Sequence, residues 1–145
     1  MYRNVLLALH IAGAAGWLGC NFTQLFLTPW FAGRGGEVAA SWFEATSRLA
    51  RRYYNVVGAV LTITGILLVI ESGYEWSAGF IAIGVTVVVI GAVLGITYFG
   101  PDGDRSAAAV RAGEPVDVRR YLTMVAIDTT LVLTAVLAMV DRWQA

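Results

Sequence analysis

The side chains in this sequence best placed to do chemistry are one histidine, one carboxylate within an apolar run, and a short series of amides. His10, Trp17, Asn21, Gln24 and Thr28 follow one another at intervals of seven, four, three and four residues. On an α-helix those intervals put all five side chains on one stripe. The surrounding stretch, Asn4–Phe31, carries no Asp, Glu, Lys or Arg, so the stripe lies on a helix whose other faces suit lipid. A polar stripe in that setting must face protein, water or a cofactor, because hydrocarbon cannot satisfy it. Neutral imidazole at His10 could ligate haem iron, copper or zinc, or relay protons. As the chain's only histidine, His10 is the metal-ligand candidate. A second axial ligand would be Met, Cys, Tyr, water or a residue of another subunit, and Met139 falls at a comparable depth. The plainer reading is an interfacial histidine hydrogen-bonded to a neighbouring helix.

Asp128 is the one carboxylate deep within an apolar stretch. It lies about 11 Å along its helix at 1.5 Å per residue, level with Trp17, Cys20 and Asn21. A charge there costs roughly 2.5–3.5 kcal/mol, so Asp128 is expected to be protonated or hydrogen-bonded. Candidate partners are Asn21, Gln24, Thr62, Thr64 and Thr97, and Thr129, Thr130 and Thr134 extend the polar lining. The group reads either as a proton relay or ligand hydrogen bond, or as polar glue between helices. The candidate cofactor-binding set is therefore His10, Trp17, Asn21, Gln24, Asp128 and Met139, with His10 alone as metal ligand. No phosphate-binding glycine loop, metal-spaced histidine cluster or nucleophile–base motif is present. Copper would have only His10, Cys20 and scattered methionines. The single cysteine excludes an intrachain disulfide. Trp17-Leu18-Gly19-Cys20 resembles a lipoprotein cleavage box, but apolar sequence continues beyond it, so the helix is expected to be retained.

These side chains need elements to hold them, and the composition says what kind. Of 145 residues, 58% are hydrophobic and 14% charged, with mean hydropathy +0.69. Soluble domains carry about 25% charged residues, so this is a membrane composition. Net charge is zero and Lys is absent, which excludes a basic nucleic-acid surface and any lysine Schiff base. A spanning helix needs about 20 mostly apolar residues. Four stretches qualify, at about 4–31, 54–70, 78–99 and 121–140. Between the first two, Val38, Trp42, Ala45 and Leu49 recur at helical spacing and suggest a short helix lying on the membrane surface. The turn 71–77 makes spans two and three a hairpin. Pro101-Asp102-Gly103-Asp104 is expected to end span three and cap a short helix over 105–112; Pro115 breaks that helix, and Asp117 caps span four.

Arginine gives the orientation. Arg34, Arg48, Arg51, Arg52, Arg105, Arg111, Arg119 and Arg120 lie in the two long loops; Arg3 and Arg142 are the only others. The positive-inside rule then puts both long loops in the cytoplasm and both termini outside. Small residues suggest close helix approach: Gly91 and Gly95 form a GxxxG with Gly84 on the same face, Gly58 and Gly65 share another, and Ala12, Gly16 and Gly19 line span one.

Leu9-His10, followed after six residues by Trp17-Leu18-Gly19, resembles the first helix of the small polytopic membrane proteins grouped around HemJ-type protoporphyrinogen oxidases and copper-resistance D-type proteins. Arg52-Tyr53-Tyr54-Asn55 with Val56–Leu68 is similar to that group's second helix, and Leu137-Ala138-Met139-Val140 to the ending of its small uncharacterised members. The resemblance implies a helical bundle and, in the HemJ branch, a b-type haem ligated by the histidine that matches His10. That branch's third-helix lysine ligand has no counterpart here, Phe80 falling near its place. Its Asn-Glu-x-Pro feature is replaced by Ala126-Ile127-Asp128-Thr129. Protoporphyrinogen oxidation is therefore not implied, and the looser copper-resistance-like group is the nearer match.

The expectation is a single all-α domain, an integral membrane four-helix bundle of a bacterial plasma (inner) membrane. Three functions fit: a redox-associated or cofactor-binding protein with haem b at His10; an accessory subunit or homo-oligomer in a larger membrane complex; and an ion or small-solute transporter using Asp128 and the span-one stripe.

Overall fold

The computed structural model describes residues 1–141, and Arg142 of the orientation argument lies outside them. Among the described residues the regular structure is all helical: α1 (Tyr2–Ala32), α2 (Gly36–Arg48), α3 (Tyr54–Ser72), α4 (Gly79–Leu94), α5 (Gly100–Arg111) and α6 (Val118–Asp141). Single π-helical turns, Leu49–Tyr53 and Gly95–Phe99, join α2 to α3 and α4 to α5. The result is four continuous rods, Tyr2–Ala32, Gly36–Ser72, Gly79–Arg111 and Val118–Asp141, each long and apolar enough to cross a membrane. This is the build of a multi-pass membrane protein. Its outward faces carry Val56, Ile63 and Ile70 on α3, and Val85, Val89 and Val93 on α4, all more than half exposed, as suits a protein whose solvent is lipid.

Two expectations about the connections are corrected. The segment before α3 is not a separate surface helix. It continues into α3, and the 37-residue rod rises about 55 Å at 1.5 Å per residue, against about 30 Å of hydrocarbon. The excess projects from one end of the bundle. Its buried face is also different: Val38 is 50% exposed and Ala45 is exposed, whereas Ala39, Ala40, Phe43, Thr46 and Ser47 are buried. Those residues pack on α5, where a Cβ on Gly103 would meet the Phe43 carbonyl at 2.8 Å. Gly103 lets the two backbones nearly touch, and that approach sets the face α2 turns inward.

The third span, likewise, does not stop at Pro101. The Gly100 N–H donates to the Gly95 carbonyl, five residues back, and the chain stays helical to Arg111. The wider turn absorbs the proline, which has no N–H to give. The Gly100 carbonyl accepts the Ser47 hydroxyl at 3.0 Å, which ties α5 to α2. The helix ends where Gly113 turns left-handed, at φ 74°, just before Pro115. Asp117 then caps α6 as expected, its carboxylate accepting the Arg120 N–H at 2.9 Å.

Within the bundle α1 is central: it packs on α3 and α6, while α4 packs chiefly on α6 and meets α3 less extensively. The core contains Trp17, Val57, Leu61, Val87, Val132 and Ala135. A second cluster of Ala40, Phe43 and Ala107 lies between α2 and α5. On the outside of that pair, Arg111 forms a bidentate contact with Glu37 (2.6 and 3.0 Å) and reaches Glu44 at 2.6 Å, and Arg51 meets Asp104 at 2.5 Å.

Candidate functional site

The polar stripe of α1 faces inward as its spacing requires. Trp17, Asn21, Gln24 and Thr28 are all 3% exposed or less. Asp128 of α6 is 4% exposed, and its Oδ2 accepts two donors from α1, the Trp17 indole N–H and the Asn21 amide, each at 2.8 Å. The expected link between Asp128 and Asn21 is thus direct. Gln24 reaches the carboxylate only through intermediaries. Its amide N–H donates to the Tyr54 hydroxyl at 2.7 Å, and Tyr54 donates to the Asn21 carbonyl at 2.5 Å. The Tyr121 hydroxyl donates in turn to the Gln24 carbonyl. These bonds run head to tail, Tyr121 to Gln24 to Tyr54 to Asn21 to Asp128, so each donor points towards the carboxylate. Chains of this kind polarise one another and strengthen in a low dielectric.

Three helices build this network. Trp17, Asn21 and Gln24 share a face of α1 by their four- and three-residue spacing. Tyr121, Val125 and Asp128 recur on α6 at the same spacing and are all buried. Tyr54 opens α3 at the end of the π-helical turn. The two tyrosines were not among the candidate residues. Tyr54 reads in sequence as an interfacial aromatic, and Tyr121 as the first residue of a span. The available signal was the seven-residue interval from Tyr121 to Asp128.

The threonines behave differently. Thr62 and Thr97 bond carbonyls of their own helices and are exposed, as do Thr130 and Thr134. Thr129 is buried, but its hydroxyl is bonded to the Val125 carbonyl. None of the expected threonine partners bonds Asp128. Thr28 accepts the Trp42 indole N–H at 3.0 Å and so anchors α2 to the end of α1.

Beside Asp128 is a small cavity lined by Trp17, Asn21, Tyr54, Asp128, Ala50, Gly91, Gly95 and Phe99, among others. The space open to the centre of a water molecule is about 20 Å³, enough to hold a water and far below what a porphyrin needs. The GxxxG face supplies one wall. A Cβ on Gly91 would stand 2.5 Å from the Trp17 ring, so this glycine makes room for the indole and is used within the chain.

His10 stands apart from this network. It is half-buried between α1 and α3, and its Nδ1 lies 2.9 Å from the Thr64 hydroxyl oxygen. That hydroxyl gives its own proton to the Val60 carbonyl at 2.6 Å. It therefore accepts from His10, which places the imidazole proton on Nδ1 and the free lone pair on Nε2. Gly65 gives the ring room against α3, where a Cβ would come 3.3 Å from Cε1. Met139 is turned elsewhere: its terminal methyl sits over Gly84 of α4, 2.6 Å from where a Cβ would stand. Cys20 is partly buried beside Gln24, with 3.7 Å between amide nitrogen and sulfur. Among the described residues no three of His, Cys, Asp and Glu gather as a metal site.

The geometry thus divides the six candidate cofactor residues. Trp17, Asn21, Gln24 and Asp128 form one connected buried group, while His10 and Met139 are each engaged separately. Of the six, His10 is the residue that could ligate a haem iron, through Nε2, with Nδ1 engaged by Thr64. The buried group does not fit as an enclosing pocket, since all its polar atoms but Asp128 Oδ1 are committed to one another and the space beside it is about 20 Å³. No protein-family model, no curated protein and no solved structure matches the chain.

Proposed function

We propose that this is a redox-associated membrane protein that binds a cofactor through His10 Nε2, with a b-type haem as the specific form. The observation that carries the reading is the hydrogen bond between His10 Nδ1 and the Thr64 hydroxyl. Ligating histidines are oriented by a hydrogen bond at the nitrogen opposite the metal, which also raises their basicity, and Thr64 occupies that position. The resemblance of Leu9-His10 and Trp17-Leu18-Gly19 to the first helix of HemJ-type and copper-resistance D-type proteins points the same way. A haem at this site would supply one-electron transfer. The second ligand and the covering surface come from outside the chain, a second copy or a partner. Leu7, Leu9 and Ile11 flank His10 on α1, Ile63 and Ile66 flank its partner Thr64 on α3, and all five are exposed, which offers an apolar face for that contact.

The orientation belongs to the same proposal: α2, α5 and their arginines in the cytoplasm, both termini outside, and the protein in a bacterial inner membrane. The eight loop arginines support it.

Protein purified in mild detergent from a haem-replete host is expected to show a Soret band, lost in His10→Ala, with one haem for two chains. Thr64→Val should keep the haem but loosen it, since only ring orientation is disturbed. A folded, colourless protein overturns the haem reading.

A further inference from the structure

The cavity beside Asp128 carries an inference independent of His10. The carboxylate receives both of its donors on Oδ2. Oδ1 accepts no hydrogen bond among the described residues, although Asp128 is 4% exposed, and it lies 3.6 Å from where a Cβ on Gly91 would stand, on the cavity wall. Oδ1 is not sealed off, the one fully enclosed side-chain oxygen or nitrogen without a partner among the described residues being Tyr98 Oη, and a carboxylate oxygen at a cavity with room for a water takes its hydrogen bond from that water. A hard divalent cation takes six or more oxygen ligands. Here most of the wall is glycine and hydrocarbon, and the remaining oxygens belong to the network or to the Ala50 carbonyl near Gly95. The ligand that suits the space is a proton delivered by water.

The cavity extends from Asp128 towards one end of the bundle. Ala50, Gly95 and Phe99 all lie between Asp128 and the α2–α5 end of the bundle, and they come from the two π-helical turns. Such turns recur at functional sites because the inserted residue opens the helix wall. Towards the opposite end the way is filled by Trp17, Leu61, Val87 and Val132.

We propose that Asp128 is a membrane-buried proton-binding site that exchanges with water from the α2–α5 side alone. In the uptake step a hydronium O–H bond breaks as the Oδ1–H bond forms, leaving water in the cavity and a neutral carboxyl; release is the reverse, and no redox partner takes part. The titratable groups facing the site are Tyr54 on α3 and, through it, Cys20 on α1 and Tyr121 on α6. α4 presents Gly91 and no titratable group. Charged groups lie past the cavity: Arg51, which crosses Gly100 and is paired with Asp104, and Asp102, which acts on Tyr121. Because Trp17 and Asn21 both bind the same carboxylate, its protonation is felt directly where α1 meets α6.

The test is infrared difference spectroscopy on the full chain in liposomes, with buffered H2O and D2O as the probes. A protonated-carboxyl band is expected that disappears as pH rises, shifts in D2O and is missing in Asp128→Asn. Gly95→Leu, which fills the cavity from the wall facing Ala50 without touching Asp128, is expected to keep the band and slow its hydrogen–deuterium exchange severalfold. With the vesicle interior buffered, an external pH jump should change the band only where the α2–α5 end faces outward. A band that does not respond to pH, exchange in Gly95→Leu as fast as in the wild type, or an equal response from both sides overturns the proposal. If Asp128→Asn does not fold, the Gly95→Leu exchange rate decides it. None of these readings involves haem.

Discussion

Trp17 does several things at once. Its indole N–H binds Asp128, its ring fills the space over Gly91, and its edge meets Tyr54 with centroids 5.6 Å apart. The hydrogen bond and the packing can be separated by substitution. Trp17→Phe removes the donor and keeps most of the ring. Hydrogen bonds between membrane helices average about 0.6 kcal/mol and reach about 1.7 kcal/mol, so a loss in that range is expected from reversible unfolding in mixed micelles. Gly91→Ala is expected to cost more, about 1–3 kcal/mol, as overpacking does in a filled core. Gly19→Ala is the control, since nothing lies within 4 Å of its Cβ position, and the same measurement should find it near neutral.

The elements most altered by packing are α2 and α5. Each continues a spanning helix through a π-helical turn, and their contact rests on small residues, with Gly103 against the Phe43 backbone. Gly103→Val is therefore expected to separate the pair and raise hydrogen exchange in both helices, while α3 and α4 stay protected. Charge adds a smaller effect outside. Hydrogen bonds from Arg111 hold the Glu37 and Glu44 carboxyls below the usual carboxylate range, and Asp104 is lowered by the neighbouring Ser47 hydroxyl and by its hydrogen bond with Arg51. A depressed folded value means that their contribution is complete above the ordinary carboxylate range and is lost as pH falls through the folded values. Protection factors in α2 and α5, which correct for the pH dependence of intrinsic exchange, should fall on acidification through that interval, and Arg111→Gln should flatten the dependence. The pairs are exposed, so the effect is a loosening of this end and not an unfolding.

For the whole molecule, the proposed orientation and the proposed haem make separate claims. In a Cys20→Ser background, Ser41→Cys on α2 should react with a membrane-impermeant thiol reagent only after permeabilisation, whereas Ser77→Cys in the α3–α4 turn should react in intact cells. The reverse pattern would invert the orientation without affecting the bundle. A His10 site shared between two copies further predicts that haem loading and dimerisation rise together in sedimentation measurements, and that His10→Ala weakens both.

Much of this design is local and was present in the sequence. Hydropathy set four spans, the seven-, four- and three-residue intervals set the inward face of α1, and Asp117 and Pro115 marked where α5 gives way to α6. Each depends on helix period or backbone chemistry within a few residues. What the tertiary structure decided is which faces meet. Asp128 selects Trp17 and Asn21, more than a hundred residues away, over the threonines that share its depth, and Tyr54 and Tyr121 complete the chain. α2 turns Phe43 and its small side chains onto α5 and leaves Val38 and Ala45 exposed. Helical spacing ranks side chains around one axis, but the rotation and depth of that axis against its neighbours come from how closely the backbones approach. Glycines such as Gly91 and Gly103 set that approach, and their effect is visible only when both helices are in place.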